Sequence, residues 1–285
     1  MAFASFKEVL LDGYKNGYAV GQFNMNNLEF TQAIIEAANE EKSPVIFGVS
    51  EGAMKYMGLE YTVAMARVAM ETSKVPVILH LDHGPNLEVV MKCIRGGFSS
   101  IMIDASHYPL EENIAKTKQV VELCHPLGIE VEGELGRIGG TEDDLTVDER
   151  DASLVDVQEA VRLVRESGID ALAPAIGSAH GMYKGKPVLA FDRLAELKSL
   201  LPETPMVLHG GSGIPDEDIT KAISLGVAKI NVNTENQVAM TKLVREILGK
   251  DDAVYDPRKY LKPAREAIKE TVKQKMRLFG SSGRA

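Results

Sequence analysis

Cysteine is scarce in this sequence, which has two in 285 residues. Two thiols are too few for a disulfide scaffold, and Cys93 and Cys124 do not form a CxxC motif. Both lie in segments with a helical pattern of apolar residues, where a free cysteine behaves as a small hydrophobic side chain. We therefore expect two buried, reduced thiols.

Long apolar runs are also absent, since none approaches the roughly 18 to 20 residues that a membrane helix requires. The first segment, MAFASFKEVLLDGYKNG, carries acidic residues where a secretory signal would have a basic start and an apolar stretch. These absences predict a cytoplasmic protein that does not bind a membrane.

Basic residues are outnumbered, with 32 Lys and Arg against 41 Asp and Glu and a formal net charge of -9. Nucleic-acid binding needs a basic face that releases counterions from the phosphates, so this balance argues against a nucleic-acid partner. An anionic ligand would have to be held locally, by backbone amides, helix N-termini or a metal ion.

Short apolar runs alternate with longer amphipathic segments along most of the chain. Strands that alternate with helices pair in parallel, and eight such units in about 220 residues fit a closed barrel better than an open sheet. We predict an α/β fold, a single (β/α)8 TIM barrel domain over residues 1–285. Its strands are expected at 19–25, 44–50, 76–82, 99–106, 128–135, 171–177, 205–210 and 228–234.

Additional helices are expected at both ends of the barrel. Residues 5–16 would form a short helix that closes the bottom, and helices are predicted at 235–248 and 257–279. The last helix belongs to a C-terminal extension at about 251–279, and its apolar stripe must be buried against the barrel or another subunit. Residues 280–285, GSSGRA, are expected to be a frayed tail.

Histidines gather at the strand ends, where a TIM barrel has its active site. Five of the six lie in or just after strands three, four, six and seven, and His125 alone lies on a helix. A buried, hydrogen-bonded imidazole is the ordinary explanation of any single histidine, but the clustering favours a metal site. Neutral imidazole is a preferred zinc ligand, and His83, His180 and His209 come from three strand ends that converge on the barrel axis.

Carboxylates occupy the same end of the barrel. Asp82 immediately precedes one of these histidines, and Asp104 ends strand four. Because side chains alternate along a strand, Glu132 and Glu134 share a face of strand five with a third glutamate, and we expect these acids to face a cation in the barrel. The alternative is a set of ion pairs with lysine, although only Lys229 lies in a strand.

Two loops have the composition of phosphate sites. Strand seven leads into HGGSG at 209–213 and strand eight into NVNT at 231–234. Loops after these strands form the usual phosphate site of barrels, where glycine admits backbone N–H groups and Ser or Thr adds a hydroxyl. A long acidic loop, GGTEDDLTVDERD at 139–151, follows strand five. It is either a solvated surface excursion or a lid that brings an acid, best Glu142, over the site.

Six sequence motifs lie at these strand ends and are distributed along nearly the whole chain. Together they resemble the class II fructose-bisphosphate aldolases and the related tagatose-bisphosphate aldolases. The motifs are HLDHG (80–84), IMIDASH (101–107), EGELGRIGGTEDD (132–144), GSAHG (177–181), LHGGSGIP (208–215) and KINVNTEN (229–236).

The resemblance implies a metal-dependent mechanism. It makes His83, His180 and His209 ligands of a catalytic zinc ion, with Asp104 and Glu134 as an alternative or second divalent metal site. A monovalent cation near the phosphate and a homodimer or homotetramer are also implied. No strand ends in a lysine that could form a Schiff base, so a metal ion that stabilises the enediolate agrees with the residues present.

The resemblance also implies the residues that handle the substrate, a sugar bisphosphate of glycolysis. Asp82 would exchange a proton with the aldehyde oxygen, and Glu142 would abstract one from carbon. The dihydroxyacetone phosphate half would contact residues of the two glycine loops and of the end of strand eight. These are Gly181, Gly210, Gly211, Ser212, Asn231, Val232, Asn233 and Thr234.

Arg258, in YDPRKYL at 255–261, is the candidate for the second phosphate of a bisphosphate. A forked guanidinium suits a phosphate, and Arg258 precedes the apolar C-terminal helix that is expected near a subunit interface. We therefore predict that it reaches the active site of a neighbouring subunit. The alternative is an ordinary surface arginine.

The sugar and the class of activity have alternatives. GVSEGAM (48–54), NVNTEN and YDPRKYL are similar to fructose enzymes, whereas ELGRIGGTEDDLTVD is similar to tagatose enzymes, and fructose 1,6-bisphosphate is favoured. A metal-dependent barrel hydrolase would carry His-x-His at the end of strand one, where this chain has FNMNN. A metal-binding protein without turnover would not need Asp82.

Overall fold

The computed structural model describes residues 3–142, 145–148, 152–183 and 185–285, with the side chains of 142 and 145–147 left out. Eight parallel strands form a closed barrel, which confirms the predicted fold class. A further three-stranded sheet stands beside it among the described residues. The strands are β1 (Val20–Asn24), β2 (Val45–Val49), β3 (Val77–Gly84), β4 (Ser100–Ile103), β5 (Glu130–Leu135), β6 (Gly139–Glu142), β7 (Leu145–Val147), β8 (Ala171–Pro174), β9 (Ala179–His180), β10 (Met206–Leu208) and β11 (Val227–Val232).

The barrel closes because β11 pairs with β1, with Val20 opposite Lys229. Around the barrel the strands follow the order β1, β2, β3, β4, β5, β8, β10 and β11, which is the chain order of the eight predicted runs. The remaining strands, β6, β7 and β9, lie outside the barrel in the order β7, β6, β9.

Helices connect the barrel strands and cover the barrel. Polar N-caps begin several of them: the side chains of Ser5, Asn27 and Asn86 each accept a hydrogen bond from a backbone N–H in the first turn. The helices are α1 (Phe6–Asn16), α2 (Leu28–Glu41), α3 (Glu51–Met57), α4 (Leu59–Thr72), α5 (Leu87–Gly96), α6 (Leu110–Cys124), α7 (Val157–Ser167), α8 (Phe191–Leu200), α9 (Asp216–Ser224), α10 (Thr234–Lys250) and α11 (Pro257–Leu278), with a 3-10 turn at His125–Leu127.

Helix α1 closes the bottom of the barrel, as predicted. Its cap residue Ser5 donates a hydrogen bond to Glu130 over 2.6 Å, and the backbone N–H of Phe6 donates to the same carboxylate. The Phe6 ring stacks on His80 inside the barrel, with ring centroids 5.2 Å apart. The bottom of the barrel is therefore filled by side chains, which leaves the opposite end for a site.

The apolar stripe of α11 is buried against the protein's own barrel. Ala264, Ile268, Val272 and Met276 are fully buried, and α11 packs mainly on α10 and α2. Of the two expected burial sites for this stripe, the barrel side is the one observed. The subunit interface that was expected near this helix stays a prediction.

The expected fraying of residues 280–285 is wrong. Ser281 is fully buried, and its hydroxyl accepts a hydrogen bond from the Ser43 hydroxyl over 2.8 Å. The backbone N–H groups of Gly283 and Ala285 donate to the carbonyls of Glu41 and Lys42. These carbonyls stand at the C-terminal end of α2, where a helix leaves acceptors without partners, so the tail is held by bonds that composition does not reveal.

Cys93 and Cys124 are both fully buried and free, as expected. Burial raises the pKa of the Cys93 thiol to about 12 and that of Cys124 to about 11. In the described part of the chain, no helix combines the length and the apolar character that crossing a membrane would require.

Candidate active site

Three histidines meet at the C-terminal end of the barrel. His83 lies near the end of β3, His180 lies in β9 beyond β8, and His209 directly follows β10. Their ring centroids are 4.6 to 5.8 Å apart, and one ligand nitrogen from each lies within 4.8 Å of the others. The structure thus brings together the three side chains that the sequence assigned to a metal.

The backbone at His83 is unusual. Its φ is 49°, and the pairing of β3 with β4 shifts register between Leu81 and Gly84. Residues other than glycine rarely adopt this left-handed backbone conformation. Those that do are concentrated at functional sites, where the surrounding structure stabilises the strained backbone. Here Asp104 holds the ring, with its carboxylate 2.9 Å from His83 Nδ1.

Hydrogen bonds fix the nitrogen that each of two histidines presents. His209 Nε2 lies 2.8 Å from a carboxylate oxygen of Glu132, so this nitrogen is a donor and Nδ1 keeps its lone pair. Asp104 binds His83 Nδ1 in the same way, which leaves Nε2 as the nitrogen with the lone pair. These two nitrogens face each other at 2.8 Å, and a cation between them would relieve the repulsion.

The donor set fits a zinc-like ion. Burial lowers the pKa of His209, so the ring is neutral at pH 7, which is the form that binds a metal. Three imidazoles, two of which (His83 and His209) have a carboxylate partner behind them, form the usual kind of ligand set of a catalytic zinc site.

A second group that could hold a metal shares one histidine with the first. It consists of His83, Asp104 and Glu134. The last two are the carboxylates that the family resemblance assigned to an alternative or second metal site. Glu134 Oε2 is buried without a hydrogen-bond partner among the described residues, and it lies 4.0 Å from His209 Nδ1. Burial and the nearby Asp104 raise the pKa of Glu134, and a bound cation would oppose that effect.

The other acids of β5 have partners within the protein. Glu132 pairs with Lys229 at 2.9 Å, and both side chains are fully buried. Burial alone would raise the pKa of Glu132, but Lys229 and the bond from His209 outweigh it and hold this pKa well below its usual range. Glu130 binds the start of α1. The expectation that these acids face a bound cation stays a prediction for Glu134, whereas Glu132 follows the alternative of an ion pair with lysine.

Two further histidines that the sequence placed near the site do not join it. His80 is fully buried below the site, with its Nδ1 2.7 Å from the Ser100 hydroxyl. His107 is exposed, and its ring lies against Tyr108 with centroids 4.0 Å apart. A position at a strand end predicts that a residue lies near the rim of the barrel. It does not predict whether the side chain points toward the barrel axis or away from it.

Asp82 is fully buried at the centre of the barrel mouth. One of its oxygens accepts a hydrogen bond from Asn24 Nδ2, and the other accepts one from Asn231 Nδ2, each over 3.3 Å. The two amides come from β1 and β11, which pair with each other, and each amide holds one oxygen of the carboxylate. Asn24 was not predicted, although it ends β1 as the other site residues end their strands.

A cleft of about 290 Å³ opens beside the histidines. Its walls include six of the predicted substrate contacts together with Asn24, Thr141, His180 and Gln237. The six are Gly181, Gly210, Ser212, Asn231, Asn233 and Thr234.

The other three predicted contacts do not line this cleft. Val232 is fully buried in the hydrophobic core, because alternation along β11 turns it away from the side on which Asn231 and Asn233 lie. The backbone N–H of Gly211 donates to the Asn231 carbonyl. The Arg258 side chain is 87% exposed and pairs with Asp256 of its own chain.

Glu235 fixes the glycine loop after β10 and was not predicted. Its carboxylate accepts hydrogen bonds from the Gly213 backbone over 2.6 Å and from Lys275 over 2.8 Å. Its own N–H donates to the Ser212 hydroxyl. Because α10 begins at Thr234, its N-terminal amides face the same cleft, where an anion is favoured.

Tyr183 joins the loops that carry His180 and His209. Its hydroxyl donates to the Gly210 carbonyl and accepts from the Ala179 N–H, each over 2.9 Å. The approach of these loops leaves no room for a side chain at Gly210, where a Cβ would lie 2.3 Å from the Ala179 carbonyl oxygen.

The acidic loop after β5 begins with strand β6, which is paired on both sides. Strand β6 pairs with β7 and also with β9, which places Gly140 opposite His180. The first part of the loop is therefore tied to the segment that carries a candidate metal ligand. The side chain of Glu142 lies outside the described part of the structure, so its role as a base stays a prediction.

The fold and the histidine site define a TIM-barrel protein with a candidate metal centre, and comparison with known proteins gives its family. The chain belongs to the class II fructose-bisphosphate aldolase family, whose model matches residues 4–284. It is 57% identical over 288 residues to a fructose-bisphosphate aldolase of Staphylococcus aureus and 56% identical to one of Staphylococcus epidermidis, with each alignment covering 100% of both chains.

Solved structures with the same fold include other aldolases. The YdjI aldolase of Escherichia coli K12 superposes with a TM-score of 0.88 at 36% identity, covering 99% of each chain. The fructose-bisphosphate aldolase of Campylobacter jejuni superposes with a TM-score of 0.84 at 25% identity, covering 100% of this chain and 97% of the other.

Replacing Gly210 by alanine tests the loop packing. The Cβ would strike the Ala179 carbonyl, and Gly210 has a φ of 64°, so we expect Gly210→Ala to lower the free energy of unfolding by about 1 to 3 kcal/mol. Gly185→Ala is the matched control, because a Cβ there meets no heavy atom within 4 Å. Urea unfolding measures both variants, and equal stability of the two would contradict the packing described here.

Proposed function

We propose that this chain is a zinc-dependent aldolase that reversibly cleaves fructose 1,6-bisphosphate into dihydroxyacetone phosphate and glyceraldehyde 3-phosphate, as in glycolysis. The observation that carries the proposal is the meeting of His83, His180 and His209 beside a polar cleft at the barrel mouth. The names of the relatives at 56 to 57% identity support the reaction and the substrate.

His83, His180 and His209 would hold the catalytic zinc ion, and Asp104 with Glu134 would serve an alternative or second divalent site. When bound, zinc supplies Lewis-acid stabilisation of the negative charge that develops on the dihydroxyacetone phosphate half. The protein's own contribution is to fix the ring nitrogens of His209 and His83 through Glu132 and Asp104 and to keep His209 neutral by burial.

Asp82 would move the proton at the other half of the substrate. In cleavage it takes the proton of the hydroxyl that becomes the aldehyde, and in condensation it returns that proton. The bonds from Asn24 and Asn231 orient its carboxylate without neutralising it. Glu142 would act as the base at carbon, carried by the loop whose first strand pairs beside His180.

The phosphate of the dihydroxyacetone half would bind in the cleft. Backbone N–H groups at the start of α10 and the hydroxyls of Ser212 and Thr234 surround it. A monovalent cation near the phosphate would add positive charge. Such local groups are needed because the protein as a whole carries a net charge of -9.

We further propose that the protein is a homodimer or homotetramer in which Arg258 serves the neighbouring site. The Arg258 side chain is 87% exposed at the start of α11, so a partner chain can reach it, although it pairs with Asp256 in its own chain. The expected cytoplasmic location also stays a prediction.

Removal of metal tests the core of the proposal. A chelator should abolish cleavage and zinc should restore it, because the protein residues alone lack a Lewis acid. His209→Ala should lower bound zinc and activity together, measured by metal analysis and by a coupled assay of triose phosphate. Full activity in metal-free protein would contradict the mechanism.

Asp82→Ala separates proton transfer from metal binding. It should keep zinc yet lose roughly 10²- to 10⁴-fold in kcat, the range typical of a general acid or base. Asn24→Ala is a useful comparison, since it removes one orienting bond but keeps the carboxylate. Loss of zinc together with activity would instead make Asp82 a metal ligand or the orienter of one.

Arg258→Ala tests the second phosphate. It should raise KM for the bisphosphate while leaving the Kd of dihydroxyacetone phosphate nearly unchanged, because that ligand has only the first phosphate. Lys259→Ala is the control at the next residue of the same exposed helix end. Equal weakening of both ligands, or of neither, would remove Arg258 from the site.

Steady-state rates of cleavage of the two bisphosphates determine which sugar is the preferred substrate. We expect a higher kcat/KM for fructose 1,6-bisphosphate than for tagatose 1,6-bisphosphate, in line with the relatives' names. The reverse preference would establish the alternative, a tagatose-bisphosphate aldolase with the same mechanism. Cleavage of neither sugar would return the metal-dependent hydrolase to consideration.

A further inference from the structure

Lys229 is a fully buried lysine on β11, and nothing in the proposed mechanism uses it. Its ammonium lies 2.9 Å from Glu132 Oε2 and donates to Asn231 Oδ1 over 2.9 Å. Lys229 and Asn231 are two residues apart on one strand, so both side chains face the barrel interior. A buried ammonium is costly unless it is paired and hydrogen-bonded; Glu132 supplies the opposite charge and Asn231 supplies a hydrogen-bond acceptor.

The first contact leads to a candidate metal ligand. Glu132 uses its other oxygen to accept from His209 Nε2 over 2.8 Å. The charge of Lys229 offsets that of the carboxylate in the buried interior, so Glu132 can hold this ring as an acceptor. His209 then presents Nδ1 to the metal site.

The second contact leads to the candidate proton-transfer group. An ammonium only donates, so it binds the oxygen of the Asn231 amide and turns the NH2 group away. That NH2 group donates to Asp82 Oδ1 over 3.3 Å. A flipped amide would place NH2 against the ammonium and oxygen against the carboxylate, which is unfavourable at both ends.

We propose that Lys229 is a positioning residue that orients a metal ligand, through Glu132, and the proton-transfer carboxylate, through Asn231, from one buried charge. The inference rests on the proposed metal site and goes beyond it, because it assigns one cause to two features of the site. It predicts that removing this single charge disturbs metal binding and proton transfer together.

The test is Lys229→Met, which keeps the length of the side chain and removes its charge. Zinc affinity, measured by chelator competition, should fall about 10- to 100-fold, and kcat should fall about tenfold or more with a smaller change in KM. The visible absorption of the Co²⁺-loaded protein should also change, because a turned His209 alters the ligand field. A folded variant with wild-type affinity and spectrum would overturn the proposal.

Val20→Ala is the matched control. Val20 is fully buried and pairs with Lys229 across β1 and β11, but it lies in the apolar cluster of the barrel interior. It should lose stability while keeping zinc affinity and the Co²⁺ spectrum. An equal loss of affinity in Val20→Ala would overturn the proposal, because general loosening of the barrel would then explain the result.

A double variant covers the case in which Lys229→Met does not fold because Glu132 is left buried with an unpaired charge. Lys229→Met with Glu132→Gln removes both charges, and replacing a buried ion pair in this way is often neutral for stability. Its thermal stability should recover while kcat and the Co²⁺ spectrum do not, since neither His209 nor Asn231 regains a charged anchor.

Recovery of kcat and spectrum along with stability in the double variant would overturn the proposal, as would its failure to fold, because the pair would then serve the barrel. The wild-type protein measured in the same series separates this test from that of the proposed function. If the wild-type protein binds no zinc, the proposed metal site is wrong. If it binds zinc and Lys229→Met binds equally well, only the role of Lys229 is wrong.

Discussion

This barrel has to accommodate three acidic side chains from one strand, of which Glu132 and Glu134 are buried and Glu130 is partly buried. Glu130, Glu132 and Glu134 lie at every second position of β5, so their side chains share one face of the strand. A buried carboxylate is stable only with hydrogen bonds or a cation. Each of the three meets the requirement differently. Glu130 binds the start of α1, Glu132 pairs with Lys229 and His209, and Glu134 faces the group of candidate metal ligands.

This layering from bottom to mouth connects the fold to its chemistry. The lowest acid holds the helix that closes the barrel, the middle acid joins barrel strands through an ion pair, and the highest acid belongs to a group that could hold a metal ion. Because Glu132 also holds His209, the charge balance of the core and the geometry of the site depend on the same contacts. The groups proposed to bind the anionic substrate are a different set, the amides and hydroxyls of the loops after β8, β10 and β11.

Much of this arrangement could be predicted from the sequence. Eight apolar runs predicted the barrel. The positions of His83, His180 and His209 at strand ends predicted that they meet, because parallel strands bring their C-terminal ends to one rim. Position could not tell that His107 points outward, since loop conformation decides that. Contacts such as Glu235 with Lys275, or Tyr183 with Gly210, join segments far apart in the chain and follow from barrel closure rather than from any local pattern.

The central claim is that three histidines from separate strands hold one catalytic metal ion. The most direct measurement is anomalous diffraction at the zinc absorption edge from crystals of the zinc-loaded protein. The account predicts a peak at roughly 2.0 to 2.1 Å from one nitrogen each of His83, His180 and His209. A peak bound by fewer than three of these rings, or no zinc at the barrel mouth, would contradict it.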